Sequence, residues 1–155
     1  MPFTVLPANS MDADEIALLL RRSILELCIG DHGNDPENFE PWLKNKTPDN
    51  VERWISGNNR MFSAIDQSRR VIGVGMGTTN GEVVLNYVLP DARCIGVSKA
   101  LMRALEDYFR ERGLEVSILK STSTAERFYR SIGYSETGKT EIRRDMVFRQ
   151  FKKAL

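Results

Sequence analysis

The hydrophobic pattern changes period at Gly96, and this change constrains the fold more than any other feature of the sequence. The segment 82–89 reads Glu-Val-Val-Leu-Asn-Tyr-Val-Leu, and its β-branched and aromatic residues are typical of a strand. After Gly96 the apolar residues recur at helical spacing as far as Tyr108, and Gly113 ends this helix. A short β-rich run, 115–119, follows. A helix that connects two neighbouring strands makes them parallel, with a right-handed crossover.

The segments on either side of this unit predict antiparallel strands and more helices. Strands are predicted at 3–6, 61–65 and 71–77, and Asn80-Gly81 is a strong hairpin signal. The segment 134–151 predicts two strands around Gly138, followed by a frayed tail. We therefore expect a single α+β domain over residues 1–155, with a mixed sheet and helices on its faces.

Helix ends are predicted from capping residues. Asp12 with Glu15, and Ser123 with Glu126, resemble capping boxes, and Gly30 and Gly133 would end the two helices. Thr47-Pro48 predicts the start of another helix, which Gly57 would stop. The polar segment 31–46 contains two prolines and predicts a loop or a short irregular helix.

Composition excludes several classes of function. The 155 residues carry a formal net charge of +1, which gives no electrostatic footprint for nucleic acid. No apolar run approaches the length that spans a membrane, and the N-terminal segment lacks the pattern of a secretory signal. The lone histidine, His32, argues against a Ser-His-Asp triad or a histidine metal site, and Cys28 and Cys94 form no metal-ligand pattern. We expect no metal, no nucleic-acid or membrane partner, and a cytoplasmic location.

The stretch 87–99 carries the chemistry, because a strand there turns into a helix at small residues. The first amides of a helix have no intrahelical partner and lie at the positive end of its dipole, so they form an anion site that suits phosphate. Gly96 and Ser98 allow a pyrophosphate to approach the backbone, and Arg93 adds a charge with bidentate reach. The spacing matches neither a nucleotide triphosphatase loop nor a dinucleotide fingerprint.

Two motifs give the sequence a family resemblance. Arg93-x-x-Gly96-x-Ser98 resembles the Gln/Arg-x-x-Gly-x-Gly/Ala signature of the GNAT superfamily of acetyl-CoA-dependent N-acetyltransferases, and Val88-x-Pro90 resembles the strand end before it. Ala125-x-x-Phe128-Tyr129-x-x-x-Gly133-Tyr134 resembles the family's later motif. The motifs stand in the family's order. The resemblance implies a mostly antiparallel sheet of six to seven strands, with a central parallel βαβ unit and helices on both faces.

The resemblance also implies where acetyl-CoA, the acyl donor, binds. The two parallel strands would splay apart, and the pantetheine arm would pair with the backbone of strand residues near the gap. The pyrophosphate would lie at the helix start. Thr122 stands where the family often has Asn, and Ser98 stands where it has Gly or Ala. The expected cofactor-binding residues are Asn86, Tyr87, Val88, Arg93, Cys94, Ile95, Gly96, Val97, Ser98, Lys99 and Thr122.

Transfer from a thioester to a primary amine needs a neutral amine, donors for the oxyanion and a proton for the leaving thiolate. By resemblance, Tyr129 is the general acid, since a phenol is protonated at neutral pH. The Val88 amide would serve the oxyanion. The base is open among Glu82, Asn86, Asp91 and a water relay. The acceptor would bind between the first helices and the last hairpin, where the segment 31–40 offers acidic residues to a basic amine: Asp31, Asp35 and Glu40, beside His32.

Each of these roles has a structural alternative. Gly96 and Ser98 suit an ordinary helix start, Tyr129 suits a core aromatic, and Arg93 suits a pair with a surface carboxylate. Cys94 is at a helix start, which lowers a thiol pKa, but no histidine accompanies it and direct transfer needs no covalent step.

The leading interpretation is an N-acetyltransferase. The alternative is a catalytically weak or inactive acyl-CoA sensor or interaction module of the same fold, which the departures at Ser98 and Thr122 suggest. A small α+β protein with no coenzyme A site is the third reading. A homodimer through the strand 146–151, as a candidate sheet edge, also remains open.

Overall fold

The computed structural model describes residues 2–155 and contains one seven-stranded sheet. The strand order is β1-β2-β3-β4-β5-β7-β6, and every neighbouring pair is antiparallel except β4 and β5, which are parallel. The α+β class, the number of strands and the central parallel pair are therefore confirmed. The strands are β1 Phe3–Pro7, β2 Arg60–Asp66, β3 Val71–Gly77, β4 Glu82–Val88, β5 Val116–Ser121, β6 Ser135–Arg143 and β7 Met146–Ala154.

Six α-helices connect these strands. Four of them lie between β1 and β2, one crosses from β4 to β5, and one precedes β6. Short 3-10 turns stand before three of the helices, at Ser10–Asp12, Pro90–Ala92 and Ser123–Ala125. No helix within residues 2–155 is long and apolar enough to cross a membrane. The helices are α1 Ala13–Leu27, α2 Ile29–His32, α3 Pro36–Leu43, α4 Pro48–Ser56, α5 Val97–Glu111 and α6 Glu126–Ser131.

Strand β3 explains how helices cover both faces of the sheet. A Cβ atom on Gly73 would lie 2.5 Å from Val97 Cγ1, and one on Gly77 would lie 2.7 Å from the Phe109 ring, so the missing side chains let α5 approach the strand closely. Successive residues of a strand point to opposite faces. Ile72, Val74 and Met76 lie on the opposite face of β3 from these glycines and therefore face α1. They are buried in the same core as Ile16 and Leu20 of that helix.

Both predicted capping boxes are wrong, because the glutamates have tertiary partners. Asp12 makes no side-chain cap bond, and the Glu15 carboxylate instead accepts from the Val71 amide at 2.8 Å, which fixes α1 to the start of β3. Ser123 makes no cap bond either, and Glu126 accepts from the Arg149 guanidinium at 2.7 Å. In each case a 3-10 turn occupies the predicted helix start.

The segment after α1 is more helical than predicted. Helix α1 ends at Leu27, and Gly30 lies inside α2, where a Cβ would come within 2.8 Å of Thr124 Cγ2. The predicted loop contains α3, whose start is capped by the Asp35 carboxylate accepting from the Glu37 amide at 3.0 Å. The predicted start of α4 is confirmed, since Thr47 Oγ1 accepts from the Asn50 amide at 3.2 Å.

The C-terminal hairpin is longer than predicted and turns elsewhere. Gly138 (φ +92°) lies in a bulge of β6, and the turn follows Arg143, with Arg144 at φ +54°. The predicted tail is strand as far as Ala154, and β7 pairs with both β5 and β6, so β6 is the sheet edge instead of residues 146–151. Burial of alternating apolar side chains, including Met146 and Phe148, explains why β7 is internal.

Candidate active site

Strands β4 and β5 diverge soon after they meet. They pair only at Glu82–Ile118 and Val83–Leu119, and the rest of β4 has no partner on that side within residues 2–155. A cavity of about 460 Å³ occupies the gap. Its lining includes a large part of the predicted site: Asn86, Tyr87, Val88, Arg93, Ser98, Thr122 and Tyr129.

The backbone of β4 directs hydrogen-bonding groups into this gap. Val88 pairs with Gly73 of β3, and the next amide, Leu89, donates to the Ile72 carbonyl at 3.0 Å. In an antiparallel pair the bonded positions alternate along the strand. The N–H and C=O groups of Asn86 and Val88 therefore face away from β3, toward the open side of β4.

The loop before α5 forms the mouth of the cavity. Gly96 is the N-cap of α5 with φ +89°, and a Cβ placed there would meet nothing within 4 Å. Glycine is therefore required by the backbone conformation, and the space beside it is open to a ligand. Cys94 also has a positive φ, +64°, and is exposed. The first amides of α5 have no partner within the helix, and Ser98 in its first turn lines the cavity, so these amides can bind an anion there.

The remaining signature residues have different surroundings. Arg93 lines the cavity, and no carboxylate within residues 2–155 lies within 4.0 Å of it, whereas nearby Asp91 pairs with Arg70 at 3.1 Å. Val97 is buried against β3. Lys99 lines a separate cavity of about 160 Å³. The predicted residues that do not line the main cavity are Cys94, Ile95, Gly96, Val97 and Lys99.

Tyr129 and Asn86 face each other across the gap. The Asn86 side-chain amide donates to the Tyr129 hydroxyl at 3.2 Å, and Asn86 Oδ1 is buried with no partner among the described residues. Burial raises the pKa of Tyr129 to about 12, with the Asn86 hydrogen bond acting in the opposite direction. The phenol therefore keeps its proton at neutral pH, and its oxygen already accepts from Asn86.

Helix α1 contributes two cavity residues that the sequence did not indicate, Ser23 and Leu27, and the residue after the helix contributes Cys28. Burial raises the pKa of the Cys28 thiol to about 12, so this thiol is neutral at physiological pH. A buried thiol of this kind is a small apolar side chain instead of a nucleophile. Only the helical periodicity of α1 could have indicated these positions, and it does not show which face meets the cavity.

The acidic residues expected near the acceptor have other roles. Asp31 accepts from Thr124 Oγ1 at 2.6 Å and from its amide at 3.1 Å, which joins α2 to the start of α6. His32 is fully buried, with Nε2 2.8 Å from the Ile24 carbonyl. Asp35 caps α3, and Glu40 lines a different cavity on the outer surface of α3. None of these four residues lines the cavity at the gap.

A second cavity of about 440 Å³ opens at the same gap. It shares part of its lining with the first cavity, including Val84, Tyr87 and Thr122, so the two cavities meet along β4 and β5. The Trp42 indole donates to the Tyr87 hydroxyl at 3.2 Å between them. The remaining side chains of the second cavity are mainly aromatic or charged: Trp42, Trp54, Phe148, Lys46, Glu82, Lys120 and Arg143.

Residues 2–155 contain no group of three or more His, Cys, Asp or Glu side chains placed to hold a metal ion. The groups at the gap and its two cavities are a helix start, open strand amides, a neutral phenol and one carboxylate.

Solved structures show the same fold. A GCN5-related N-acetyltransferase from Rhodopseudomonas palustris is 21% identical, with 100% of this chain and 97% of that chain covered and a TM-score of 0.88. The PaiA N-acetyltransferase from Thermoplasma acidophilum, solved with coenzyme A, is 14% identical over 100% of both chains, with a TM-score of 0.81. YncA from Salmonella typhimurium, solved with acetyl-CoA, is 18% identical. The match covers 100% of this chain and 95% of that chain, with a TM-score of 0.69.

A sequence comparison with curated proteins gives no match. The family model of the acetyltransferase (GNAT) domain matches residues 30–155, which cover the parallel strands, the α5 start and the motif around Tyr129. On that match and on the fold, the chain belongs to the GNAT acetyltransferase family.

Proposed function

We propose that residues 1–155 act as one domain that transfers an acetyl group from acetyl-CoA directly to a primary amine. The observation that carries this proposal is the gap between β4 and β5, which has a helix start and Tyr129 at its sides and opens into two cavities. A bisubstrate reaction needs two such entrances, one for the donor and one for the acceptor, that meet at a proton donor.

The residues at the first cavity fit acetyl-CoA. Open space beside Gly96, a positive φ at that position and the free amides of α5 suit a pyrophosphate. The unpaired side of β4 suits the amide-rich pantetheine arm, and the orphaned Asn86 Oδ1 offers a further acceptor. The coenzyme A and acetyl-CoA complexes of the PaiA and YncA structures support this assignment.

Binding is divided among a few groups. Arg93 and the first amides of α5, with the Ser98 hydroxyl, hold the phosphates. The backbone of Asn86 and Val88 pairs with the pantetheine arm, while Tyr87 and Thr122 shape the gap where both cavities meet. Acetyl-CoA supplies the acetyl thioester.

Tyr129 donates the proton that the departing sulfur needs. Its hydroxyl proton is free to point into the cavity, because its oxygen already accepts from Asn86. The Val88 N–H donates to the carbonyl oxygen as negative charge develops there. A pKa of about 12 keeps Tyr129 protonated across the pH range in which an amine loses its own proton.

Glu82 is the residue best placed to remove the amine proton, directly or through water. It is the one carboxylate among the residues that line the two cavities. Asp91, the other carboxylate near the strand, is held by Arg70 at 3.1 Å and lines neither cavity. Asn86 has no basic group. The base is therefore assigned to Glu82.

The test is a calorimetric titration with acetyl-CoA, followed by a thiol-release assay with a panel of primary amines. ATP serves as the control ligand, because it carries phosphates without a pantetheine arm. Saturable one-site binding of acetyl-CoA and amine-dependent thiol release are expected. Tight binding without transfer to any amine would favour a sensor of acyl-CoA, and absence of binding would overturn the donor assignment.

Two further predictions concern the cellular location and the oligomeric state of the protein. A cytoplasmic location would be tested by fractionation of cells that express it. A homodimer would be tested by analytical ultracentrifugation, with β6, the edge of the sheet, as the strand to alter.

A further inference from the structure

A buried lysine lines the second cavity, which is the entrance for the amine in the proposed reaction and hence the acceptor cavity. Lys46 is only 7% exposed, and its ammonium donates to Asn45 Oδ1 at 2.7 Å and to the Trp42 carbonyl at 3.2 Å. An ammonium has three donors, and the third has no protein partner within residues 2–155. No carboxylate within that part of the chain lies within 4.0 Å of the Lys46 nitrogen, so the buried charge has only neutral acceptors.

Two more cations stand in the same cavity. Lys120 Nζ lies 3.1 Å from the Glu141 carboxylate, and the Arg143 guanidinium also pairs with Glu141, so two cations share one carboxylate. The Arg143 guanidinium lies 4.6 Å from the centre of the Phe148 ring, which orients it at the cavity wall. Glu82 is the one carboxylate that lines the cavity, against three cations, so its lining has more positive than negative charge.

The pKa of Lys46 reflects its burial and the cation nearby. Burial, with a further contribution from nearby Arg143, lowers the pKa of Lys46 to about 8. A buried charge without an ionic partner is costly, and proteins retain one mainly where function requires it. An anion bound beside Lys46 would remove this cost.

The rest of the cavity suits an apolar group. Four aromatic residues line it, namely Trp42, Trp54, Tyr87 and Phe148, and the Trp42 and Phe148 rings meet edge to face with centroids 5.9 Å apart. The same lining includes three cations, Lys46, Lys120 and Arg143, and one carboxylate, Glu82. An occupant that carries both an anion and an amine would find a partner of opposite charge for each.

Resting on the acetyl transfer proposed above, we propose that the acceptor carries an anionic group, carboxylate or phosphate, on the same molecule as its primary amine. Lys46 and Arg143 bind the anion, the aromatic residues hold the apolar part, and the amine reaches Glu82 and the gap. This inference reverses the expectation of a basic acceptor, because three of the four charged residues that line the cavity are cations.

Matched acceptor pairs test the substrate class. Each pair consists of an amine with an anionic group and the same amine without it: phenylalanine and phenethylamine, tyrosine and tyramine, leucine and isopentylamine, phosphoethanolamine and ethanolamine. Phenylalaninamide controls for size. We expect the anionic member to have the higher kcat/KM by about tenfold or more, with the best pair distinguishing carboxylate from phosphate. Equal use of both members, or preference for the uncharged ones, would overturn the inference and leave acetyl transfer intact.

Variants of the two cations test the site. Lys46→Met and Arg143→Gln are each expected to reduce the preference for the anionic member by about tenfold, mainly through KM. Lys44→Met is the matched control, because Lys44 is exposed and lines a cavity on the outer surface of α3. Arg143 is half exposed at the sheet edge, so its variant reports on the site even if Lys46→Met folds poorly. An unchanged preference in both folded variants would contradict the assignment.

A binding measurement separates this inference from the proposed reaction. Calorimetry with 3-phenylpropionate, which has the anion but no amine, is expected to show binding that is lost in Lys46→Met. Binding that depends on Lys46, without transfer to any amine, would support the anion site and overturn the acetyltransferase proposal. Transfer to amines without any binding of 3-phenylpropionate would overturn the anion site and support the acetyltransferase proposal.

Discussion

The Asn86 side-chain amide donates to the Tyr129 hydroxyl oxygen across 3.2 Å, from β4 to α6. A hydroxyl that accepts from an amide cannot donate back to the same N–H group, so its own proton points elsewhere. Tyr129 is 7% exposed and lines the first cavity, where we propose that acetyl-CoA binds. This bond leaves the phenol proton free to point into the cavity, and in the reaction proposed above Asn86 is a positioning residue for Tyr129.

The first prediction concerns this pair. Tyr129→Phe is expected to lower kcat by about 10²-fold and to leave acetyl-CoA affinity unchanged, since a positioned acid contributes ~10²–10⁴-fold. Asn86→Ala should lower kcat about tenfold in the wild type and have almost no effect in the Tyr129→Phe background, because the two residues act as a unit. Asn86→Asp should lower kcat further, because a carboxylate would accept the phenol proton.

Steady-state kinetics of the single and double variants, with calorimetry of acetyl-CoA, would check this coupling. Independent effects of Asn86 and Tyr129 on kcat would show that Asn86 does not act through the phenol. An Asn86→Asp variant as active as the wild type would contradict the proposed direction of the proton.

The second prediction concerns Gly96 at the start of α5. Gly96→Val places a β-branched side chain at φ +89° and fills the open space beside the start of α5. We expect acetyl-CoA affinity to fall by at least about tenfold, because the amides of the anion site move or are covered. Gly138→Val is the matched control, since Gly138 has φ +92°, also has open space around its Cβ, and lies in β6.

Both valine variants should lose a similar amount of stability, about 1–2 kcal/mol, from the same backbone strain. Urea unfolding and calorimetry on the same samples would separate strain from binding. If Gly138→Val weakened acetyl-CoA binding as much as Gly96→Val, the loss would reflect general destabilisation instead of a site at α5.

The sequence was informative where structure depends on neighbouring residues. The period change at Gly96 predicted the β4-α5-β5 unit, and Thr47-Pro48 predicted the start of α4, because each signal lies within a few residues of its effect. The capping boxes failed for the opposite reason. Glu15 reaches the Val71 amide on another strand, and no local pattern can show that partner.

The acceptor cavity shows the same limit more strongly. Lys46 and Arg143 are nearly a hundred positions apart in the sequence, and the fold brings them to one wall. Nothing in the segment 31–46 distinguished Lys46 from the acidic residues before it. Those acidic residues were expected near the acceptor amine, yet Asp31 accepts a hydrogen bond from Thr124. Charge in a sequence predicts a ligand poorly until the cavity that holds it is known.

The third prediction concerns Glu82. Glu82→Gln is expected to lower kcat/KM for the amine by about 10²-fold at pH 7, because the amide cannot accept a proton. The loss should shrink as the pH approaches the pKa of the free amine, since a larger fraction of the amine is then already neutral. Asp91→Asn is the control, because Asp91 pairs with Arg70 outside both cavities.

A pH profile of kcat/KM for the three proteins, with one good acceptor, would check the role of Glu82. A loss in Glu82→Gln that stays constant over the whole pH range would indicate that Glu82 positions the amine instead of removing its proton.

The fourth prediction links the acceptor cavity to stability. Burial lowers the pKa of Lys46 to about 8 in the folded protein, whereas a lysine in an unfolded chain has a pKa of ~10.4. Below pH 8 both states are protonated, and the folded state has the full cost of a buried charge. Between pH 8 and ~10.4 the unfolded state binds more protons, so this group makes the folded state progressively more stable as the pH rises.

Lys46→Met removes the charge and this dependence on pH. The variant is expected to be more stable than the wild type at pH 7, by about 1–2 kcal/mol, because relief of the buried charge outweighs two lost hydrogen bonds. The difference should shrink toward pH 10 as Lys46 becomes neutral in the wild type. Other groups in the cavity, namely Glu82, Tyr87, Lys120 and Arg143, are present in both proteins, and their titration cancels to first order.

Urea unfolding at several pH values between 7 and 10 would measure the difference, with Lys44→Met as the exposed control that shows none. A difference that does not change with pH would mean that Lys46 keeps an ordinary pKa. Adding 3-phenylpropionate extends the same experiment. An anion bound to Lys46 favours the ammonium, so it should stabilise the wild type most at pH 7, less as the pH rises past 8, and Lys46→Met hardly at all.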